Sequence, residues 1–153
     1  MKKILVSGCL YGWSCRYDNV NTICEDPRFL EWKEQGRLVP ICPEVYGGLP
    51  TPRPDSQRVG DRVLSCTGAD VTVEYEAGAV KALQLARQNE IAFAIMKQDS
   101  PSCGSRFIYD GTFTDKKIAG QGRAVQLLTE AGYTVFDEDQ IDQCAALLTQ
   151  LEK

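Results

Sequence analysis

The stretch Lys3-Ile4-Leu5-Val6-Ser7-Gly8-Cys9 decides the fold of this 153-residue chain. It is a short apolar run that ends at a glycine, and such a run is typical of a strand buried on both faces. Parallel sheets bury both faces of their strands, because helices cover each side. We therefore predict a first strand over 3–7, followed by a loop that carries Cys9.

Three more apolar runs of this kind predict strands over Arg37–Cys42, Ile91–Lys97 and Tyr133–Phe136. Apolar residues at helical spacing lie between and after these strands and predict four helices. The first helix is expected to begin at Asp26-Pro27 and to end at Gly36, and the second to begin at Asp70 or Thr72. The third is expected to end at Gly132, and the fourth to begin at Asp137 or Asp139. This alternation predicts an α/β protein with a mostly parallel sheet, and the length predicts one domain over residues 1–153.

Two hairpins and one long loop complete the predicted organisation. Val59–Val63 and Phe107–Thr114 carry hairpin signals, whereas Pro43–Pro54 is expected to be irregular because it holds four of the seven prolines. Ligands of parallel sheets bind beyond the carboxyl ends of the strands. The loops that leave the first three strands are therefore the candidate site, and each contains a cysteine: Cys9, Cys42 and Cys103.

The composition excludes several classes of protein. The chain has seven cysteines, no histidine and a net charge of −4. An odd cysteine count without a secretory segment argues against a disulfide framework and for a cytoplasmic location. The apolar runs are too short to span a bilayer. The acidic balance disfavours a nucleic-acid binder, because Lys and Arg supply most of the affinity for polyanions.

The cysteines permit two interpretations. Free cysteine is often simply buried, and we expect this of Cys66 and Cys144, while Cys15 and Cys24 fit either the core or the surroundings of a site. The three loop cysteines are either core residues or ligands of a shared metal site. Three thiolates without histidine favour zinc or an iron–sulfur cluster. In a [4Fe–4S] cluster, which normally takes four cysteines, three would leave one iron open to substrate.

Several multi-residue motifs resemble the thiouracil desulfidase family, long filed as a bacterial domain of unknown function. They occur in the family's order and cover nearly the whole chain: Ser7–Gly12 with Cys15–Asp18, Cys42–Glu44 with Gly47–Leu49 and Pro52-Arg53, Gly68–Thr72, Lys97 with Ser100–Gly104, and Tyr109–Phe113. The resemblance implies a Rossmann-like three-layer fold and a [4Fe–4S] cluster with three cysteine ligands, Cys9, Cys42 and Cys103, and one open iron. It also implies removal of sulfur from a thiolated uracil without net redox change.

Three polar residues beside the cysteines are candidates for the chemistry. Glu44 is either a solvated loop carboxylate or the general base for a water, since no histidine is present, and the resemblance points to this residue. Ser100 and Ser102 are either turn formers or functional, with Ser100 catalytic and Ser102 binding substrate. Lys97 and Asp99 are the next candidates for the base.

The expected function is non-redox desulfuration of a thiolated pyrimidine, such as 2-thiouracil, to uracil and hydrogen sulfide. Two alternatives stay open: desulfuration of thiouridine in tRNA, and a non-enzymatic thiolate module for metal binding or redox sensing. The expected partner is a small thiolated base, with neither a membrane nor a nucleic acid. We expect the chain to be a monomer or a weak homodimer.

Overall fold

The structure is a computed structural model and describes residues 1–20 and 22–153. In chain order its elements are β1 Ile4–Ser7, α1 Gly8–Tyr11, α2 Pro27–Glu34, β2 Leu38–Ile41, α3 Pro43–Tyr46, β3 Ser56–Val59, β4 Arg62–Ser65, α4 Thr72–Gln88, β5 Phe93–Ile95, β6 Phe107–Tyr109, β7 Lys117–Ala119, α5 Arg123–Glu130, β8 Val135–Phe136 and α6 Ile141–Leu151. In the described residues, no helix has both the length and the apolar composition needed to cross a membrane.

A four-stranded parallel sheet forms the centre, in the order β2-β1-β5-β8. The pairing aligns Ile4 of β1 with Leu38 of β2 on one side and with Phe93 of β5 on the other. The chain therefore places β2 on one side of β1 and later returns to place β5 on the other side. The carboxyl ends of β1, β2 and β5 are adjacent at this switch point, where open α/β sheets bind ligands.

Helices cover both faces of the sheet, which gives three layers. On one face, α2 and α6 pack Phe29 and Leu148 against Ile4 and Val6 of β1. On the other face, α4 and α5 pack against Leu5 with the buried residues Ala79, Ala82, Ala86, Val125 and Leu128. Successive residues of a strand point to opposite faces, so a strand covered on both sides needs an unbroken apolar run. The predicted α/β class and parallel sheet are confirmed.

The predicted loops after β1 and β2 each begin with one helical turn instead. The turn α1 ends at Gly12, whose φ of +117° is left-handed and suits glycine. Pro43 takes the first position of α3, where proline lacks only an N–H that would have no partner within the helix. As a result Cys9 and Glu44 lie in helical turns.

Two helix caps differ from the prediction. Thr72 is the first residue of α4 rather than its cap, and its N–H and hydroxyl both donate to Asp70. Neither Asp137 nor Asp139 caps α6. Asp137 is instead buried and paired with Arg106 at 2.6 Å, an interaction that local sequence does not show.

The two hairpins lie outside the central sheet. Strands β3 and β4 pair around the predicted turn, with Val59 opposite Arg62. Strand β6 pairs with β7 in a register that aligns Phe107 with Ala119. The second hairpin is therefore longer than predicted, because Asp110-Gly111 opens a loop that continues to residue 116.

Helices α3 and α4 approach each other closely through two glycines. A Cβ atom on Gly78 would overlap the carbonyl oxygen of Pro43, and one on Gly47 would overlap that of Glu74. These contacts join backbone to backbone, so neither partner can turn aside as a side chain would. The absence of both Cβ atoms allows α4 to hold α3 in its position after β2.

We expect Gly78→Ala to destabilise the protein, although alanine favours a helix over glycine by about 1 kcal/mol. Overpacking costs about 1–3 kcal/mol, and a rigid backbone oxygen puts the cost at the upper end. Thermal and urea unfolding measure the effect. Ala77→Gly, at the exposed neighbouring position, measures helix propensity alone. An unchanged or raised stability of Gly78→Ala would contradict the close approach.

Candidate active site

The carboxyl ends of β1, β2 and β5 open into a cavity of about 290 Å³. This volume is close to the lower limit of small-molecule sites, which begin at about 300 Å³. All six site residues predicted from the sequence line the cavity: Cys9, Cys42, Glu44, Ser100, Ser102 and Cys103. The parallel order of the strands thus brings together side chains that are far apart along the chain.

The three loop cysteines are buried within this cavity. Cys9 lies in α1, Cys42 precedes α3, and Cys103 follows β5; they are 6%, 8% and 5% exposed. Burial raises the pKa of Cys103, and so do negative charges on the other two. This mutual repulsion shows that the three sulfurs are close enough to act on one another. A positive group between them would relieve the repulsion.

Hydroxyl groups stand beside two of these thiols. Burial raises the pKa of Cys9, while the neighbouring Thr22 hydroxyl opposes that rise. Ser102 Oγ lies 3.5 Å from the Cys103 sulfur, and the hydroxyls of Ser102 and Ser7 oppose the rise in the pKa of Cys103. A donor aimed at a sulfur stabilises the thiolate over the thiol. At both positions the hydroxyls thus offset a part of the cost that burial places on the thiolate.

Cys42 differs from the other two because its pKa is lowered. A hydrogen bond from the Cys15 side chain lowers the pKa of Cys42 to about 7, against the effect of burial, and the Val45 N–H assists. In its protonated form Cys42 donates instead to the backbone oxygen of Cys15 at 3.6 Å. Cys42 is the thiol of this group that ionises most readily.

The donor set of the three cysteines fits an iron–sulfur cluster. Thr22 Oγ1 is buried without a hydrogen-bond partner among the described residues, and a thiolate at Cys9 would supply the acceptor that it lacks. Within the same residues, no three His, Cys, Asp or Glu side chains are grouped as ligands of a single metal ion. A [4Fe–4S] cluster requires a different arrangement, in which each thiolate binds a separate iron.

The remaining cysteines have separate environments. Cys144 is fully buried in α6, as predicted. Cys66 is exposed, so its predicted place in the core is wrong. It lies in an exposed turn that directly follows β4. Cys24 packs against the core beside α2, and Cys15 lines the cavity.

Glu44 is held by charged and hydroxyl groups within the cavity. The Arg53 guanidinium donates to Glu44 Oε1 through Nε at 3.1 Å and through Nη2 at 3.0 Å. Ser102 donates to Oε2 at 2.9 Å, and Ser100 is 3.5 Å from the same oxygen. The Arg53 and Glu44 side chains are only 5% and 14% exposed. Glu44 is thus a partly buried, paired carboxylate and not a solvated one.

Tyr75 of α4 closes the site from the helix side. Burial raises the pKa of this phenol, and the nearby Glu44 raises it further by charge and by a hydrogen bond. Tyr75 is therefore a neutral hydroxyl near the carboxylate. Ser56, at the start of β3, also hydrogen-bonds with Tyr75.

Lys97 and Asp99, the alternative bases, are both in ion pairs. Lys97 donates to Glu138 at 2.6 Å, and Asp99 accepts from Lys117 at 2.9 Å. Both line the cavity, but each already has a partner of opposite charge. Glu44 has the closest contacts to the two serines and lies two residues from Cys42.

A family model described as 2-thiouracil desulfurase matches residues 4–140. The chain belongs to this family. The match spans every strand of the central sheet and all three cavity cysteines. The predicted resemblance to the thiouracil desulfidase family is thereby confirmed.

Two known proteins match this chain over nearly their whole length. The uncharacterized protein YbbK of Bacillus subtilis (strain 168) is 40% identical over 149 residues, covering 91% of this chain and 97% of its own. The solved structure of the [4Fe-4S]-dependent thiouracil desulfidase TudS is 43% identical, with a TM-score of 0.96. That match covers 98% of this chain and 99% of TudS.

Several residues of this desulfurase site were not assigned a role from the sequence. Arg53 stood in a quoted motif, but nothing local showed that it would pair with Glu44. Tyr75 lies on the buried face of α4, where an aromatic residue is typical of the core. Ser7 also belongs to one of the family motifs, without a role assigned to it, and Thr22 offered no signal, because isolated hydroxyl residues occur throughout loops.

We expect Cys15→Ala to raise the pKa of Cys42 in the reduced, metal-free protein above its value of about 7. The substitution removes the side-chain hydrogen bond that stabilises the thiolate. The ultraviolet absorbance of thiolates, followed against pH, would show its first step move to higher pH. Cys24→Ala, outside the cavity, serves as the control and should leave that step in place. An unmoved first step in Cys15→Ala would show that another group lowers the pKa.

Proposed function

We propose that this chain is a thiouracil desulfidase whose [4Fe–4S] cluster is held by Cys9, Cys42 and Cys103. The observation that carries the proposal is the convergence of three buried thiols and a hydrogen-bonded carboxylate in one cavity. Family membership sets the reaction class, removal of sulfur from 2-thiouracil, and decides against a non-enzymatic module. TudS, the structural neighbour, is [4Fe-4S]-dependent, which supports the same cofactor here.

The proposed reaction exchanges sulfur for oxygen at one carbon of the base. Water and the thiocarbonyl compound give the carbonyl compound and hydrogen sulfide, so the atoms balance and no electrons are transferred. When bound, the cluster supplies an iron without a cysteine ligand, which acts as a Lewis acid toward the thiocarbonyl sulfur. The protein must then activate the water and deliver a proton to the departing sulfur.

Glu44 is the proposed general base for the water. Its Oε1 atom is engaged by Arg53, so Oε2, which faces the serines, is the oxygen that takes the proton. A side chain that moves a proton in the transition state contributes typically ~10²–10⁴-fold in rate. Ser100 orients the ring and passes the proton on, and Ser102 binds the substrate beside it.

A small base fits the cavity better than a tRNA does. Four carboxylates line the cavity, against three cations: Glu44, Asp55, Asp99 and Asp115 against Arg16, Arg53 and Lys97. The net charge of the chain is −4. Carboxylates repel the phosphates of a polyanion, whereas binding to nucleic acid rests on cations. The purified protein should therefore act on free 2-thiouracil; turnover of thiolated tRNA alone would overturn this choice of substrate.

The proposed enzyme works as a monomer or a weak homodimer, because a single chain supplies all the lining residues named here. We place it in the cytoplasm, since reducing conditions would keep its cysteines as thiols. Analytical ultracentrifugation at several protein concentrations tests the proposed oligomeric state.

We expect Cys9→Ser, Cys42→Ser and Cys103→Ser each to abolish the cluster, since hydroxyl oxygen is a much harder ligand than thiolate. Protein reconstituted without oxygen should carry about four irons and four sulfides per chain. Iron analysis and the visible spectrum measure the loss. Cys66→Ser and Cys144→Ser are the controls, one at an exposed and one at a buried site outside the cavity. Stoichiometric zinc in place of iron would refute the proposed cofactor.

We expect Glu44→Gln to keep the cluster and to lose at least ~100-fold in turnover of 2-thiouracil. Glutamine preserves the shape of the side chain but cannot accept the proton from water. The readouts are the rate of hydrogen sulfide release and, separately, the iron content. Glu76→Gln, a paired carboxylate on α4 that does not line the cavity, should turn over normally. Normal turnover by Glu44→Gln with full iron would transfer the role of base to another group.

A further inference from the structure

Arg53 uses all of its hydrogen-bonding capacity within the protein. A guanidinium has five N–H donors, and five contacts account for them. Nε donates to Glu44 Oε1 at 3.1 Å, and one N–H of Nη2 donates to the same oxygen at 3.0 Å. The other Nη2 bond reaches the Cys15 carbonyl at 3.0 Å. The two Nη1 bonds reach the Pro50 carbonyl and Thr51 Oγ1, both at 3.0 Å.

This arrangement leaves Arg53 nothing to donate to a substrate. Its side chain is 5% exposed and lies at the cavity, yet every N–H already has a protein acceptor. Three of the five bonds go to groups other than Glu44. The guanidinium is therefore anchored by the backbone and Thr51, and Glu44 adjusts to it rather than the reverse.

The two bonds to Glu44 also distinguish its oxygens. Both end on Oε1, whereas the hydroxyls of Ser102 and Ser100 face Oε2 at 2.9 and 3.5 Å. A carboxylate held by two donors on one oxygen cannot rotate to exchange the two. The rigid fork of arginine provides this restraint, and the point charge of a lysine does not.

We propose that Arg53 is a positioning residue that holds Glu44 by Oε1 and so aims Oε2 at the proton it must accept. The inference rests on the proposed function, because it assumes that Glu44 is the base. Arg53 acts through Glu44 and does not contact the reacting atoms. Its removal should slow the chemical step and leave substrate affinity unchanged.

The test is the kinetics of Arg53→Lys with 2-thiouracil in the cluster-loaded enzyme. We expect kcat to fall roughly tenfold to a hundredfold, since small misplacements of a catalytic group cost this much. KM should stay within about twofold, because no contact to substrate is lost. Iron content and visible spectrum should equal those of the unaltered enzyme. Arg106→Lys, which alters another arginine–carboxylate pair outside the cavity, should retain its kcat.

Two further variants keep the proposal testable if Arg53→Lys folds poorly. Thr51→Val removes one anchor of the guanidinium and should lower kcat several-fold with KM unchanged. Arg53→Ala should regain turnover when guanidinium ion is added at concentrations far below denaturing ones. The same addition should not restore Glu44→Gln.

Each outcome decides between Arg53 and the wider proposal. A raised KM with unchanged kcat would make Arg53 a substrate-binding residue, and loss of iron would make it a support of the cluster; either result overturns the inference. If Arg53→Lys is fully active while Glu44→Gln is inactive, the positioning role alone fails. If Glu44→Gln is fully active, Glu44 is not the base, and the proposed function of Glu44 is refuted together with the inference that rests on it.

Discussion

The parallel pairing of β1 with β2 on one side and β5 on the other is the constraint on which the site depends. Parallel strands bring their carboxyl ends to one edge of the sheet, and this strand order makes three such ends adjacent. Cys9, Cys42 and Cys103 therefore meet although long segments separate them along the chain. Their meeting follows from topology, which is why no compact metal-binding motif appears in the sequence.

A buried cavity of this kind must compensate the negative charge that it collects. Desolvation and mutual repulsion both oppose ionised sulfurs, as the raised pKa of Cys103 shows. Hydroxyl donors offset a part of this cost at Cys9 and Cys103, and Cys15 does so at Cys42. Glu44 is compensated by the buried charge of Arg53. The Arg53 charge also helps to lower the pKa of Cys42, so this one cation acts on both the carboxylate and the neighbouring sulfur.

The sequence predicted those features of the site that local patterns carry. Apolar runs and glycines show where strands end, and these ends place the cysteines, Glu44 and the serines at one edge of the sheet. The pairing of Arg53 with Glu44 depends on the path of an irregular, proline-rich segment, which no periodicity describes. Close backbone contacts such as Gly78 against Pro43 are equally invisible. The error at Cys66 came from the general tendency of cysteine to be buried, which a residue in an exposed turn does not follow.

The two serines have different positions in the network, and this gives the proposed proton transfer a direction. Ser100 Oγ accepts the backbone N–H groups of Ser102 and Cys103, both at 3.1 Å. Its own proton is thus left to donate, either to Ser102 Oγ at 2.9 Å or to Glu44. Ser102 in turn donates to Glu44 Oε2. Once Oε2 has taken a proton from water, its hydrogen bond with Ser102 can reverse, and Ser100, whose two acceptor positions are filled by backbone N–H groups, is the hydroxyl that donates a proton onward.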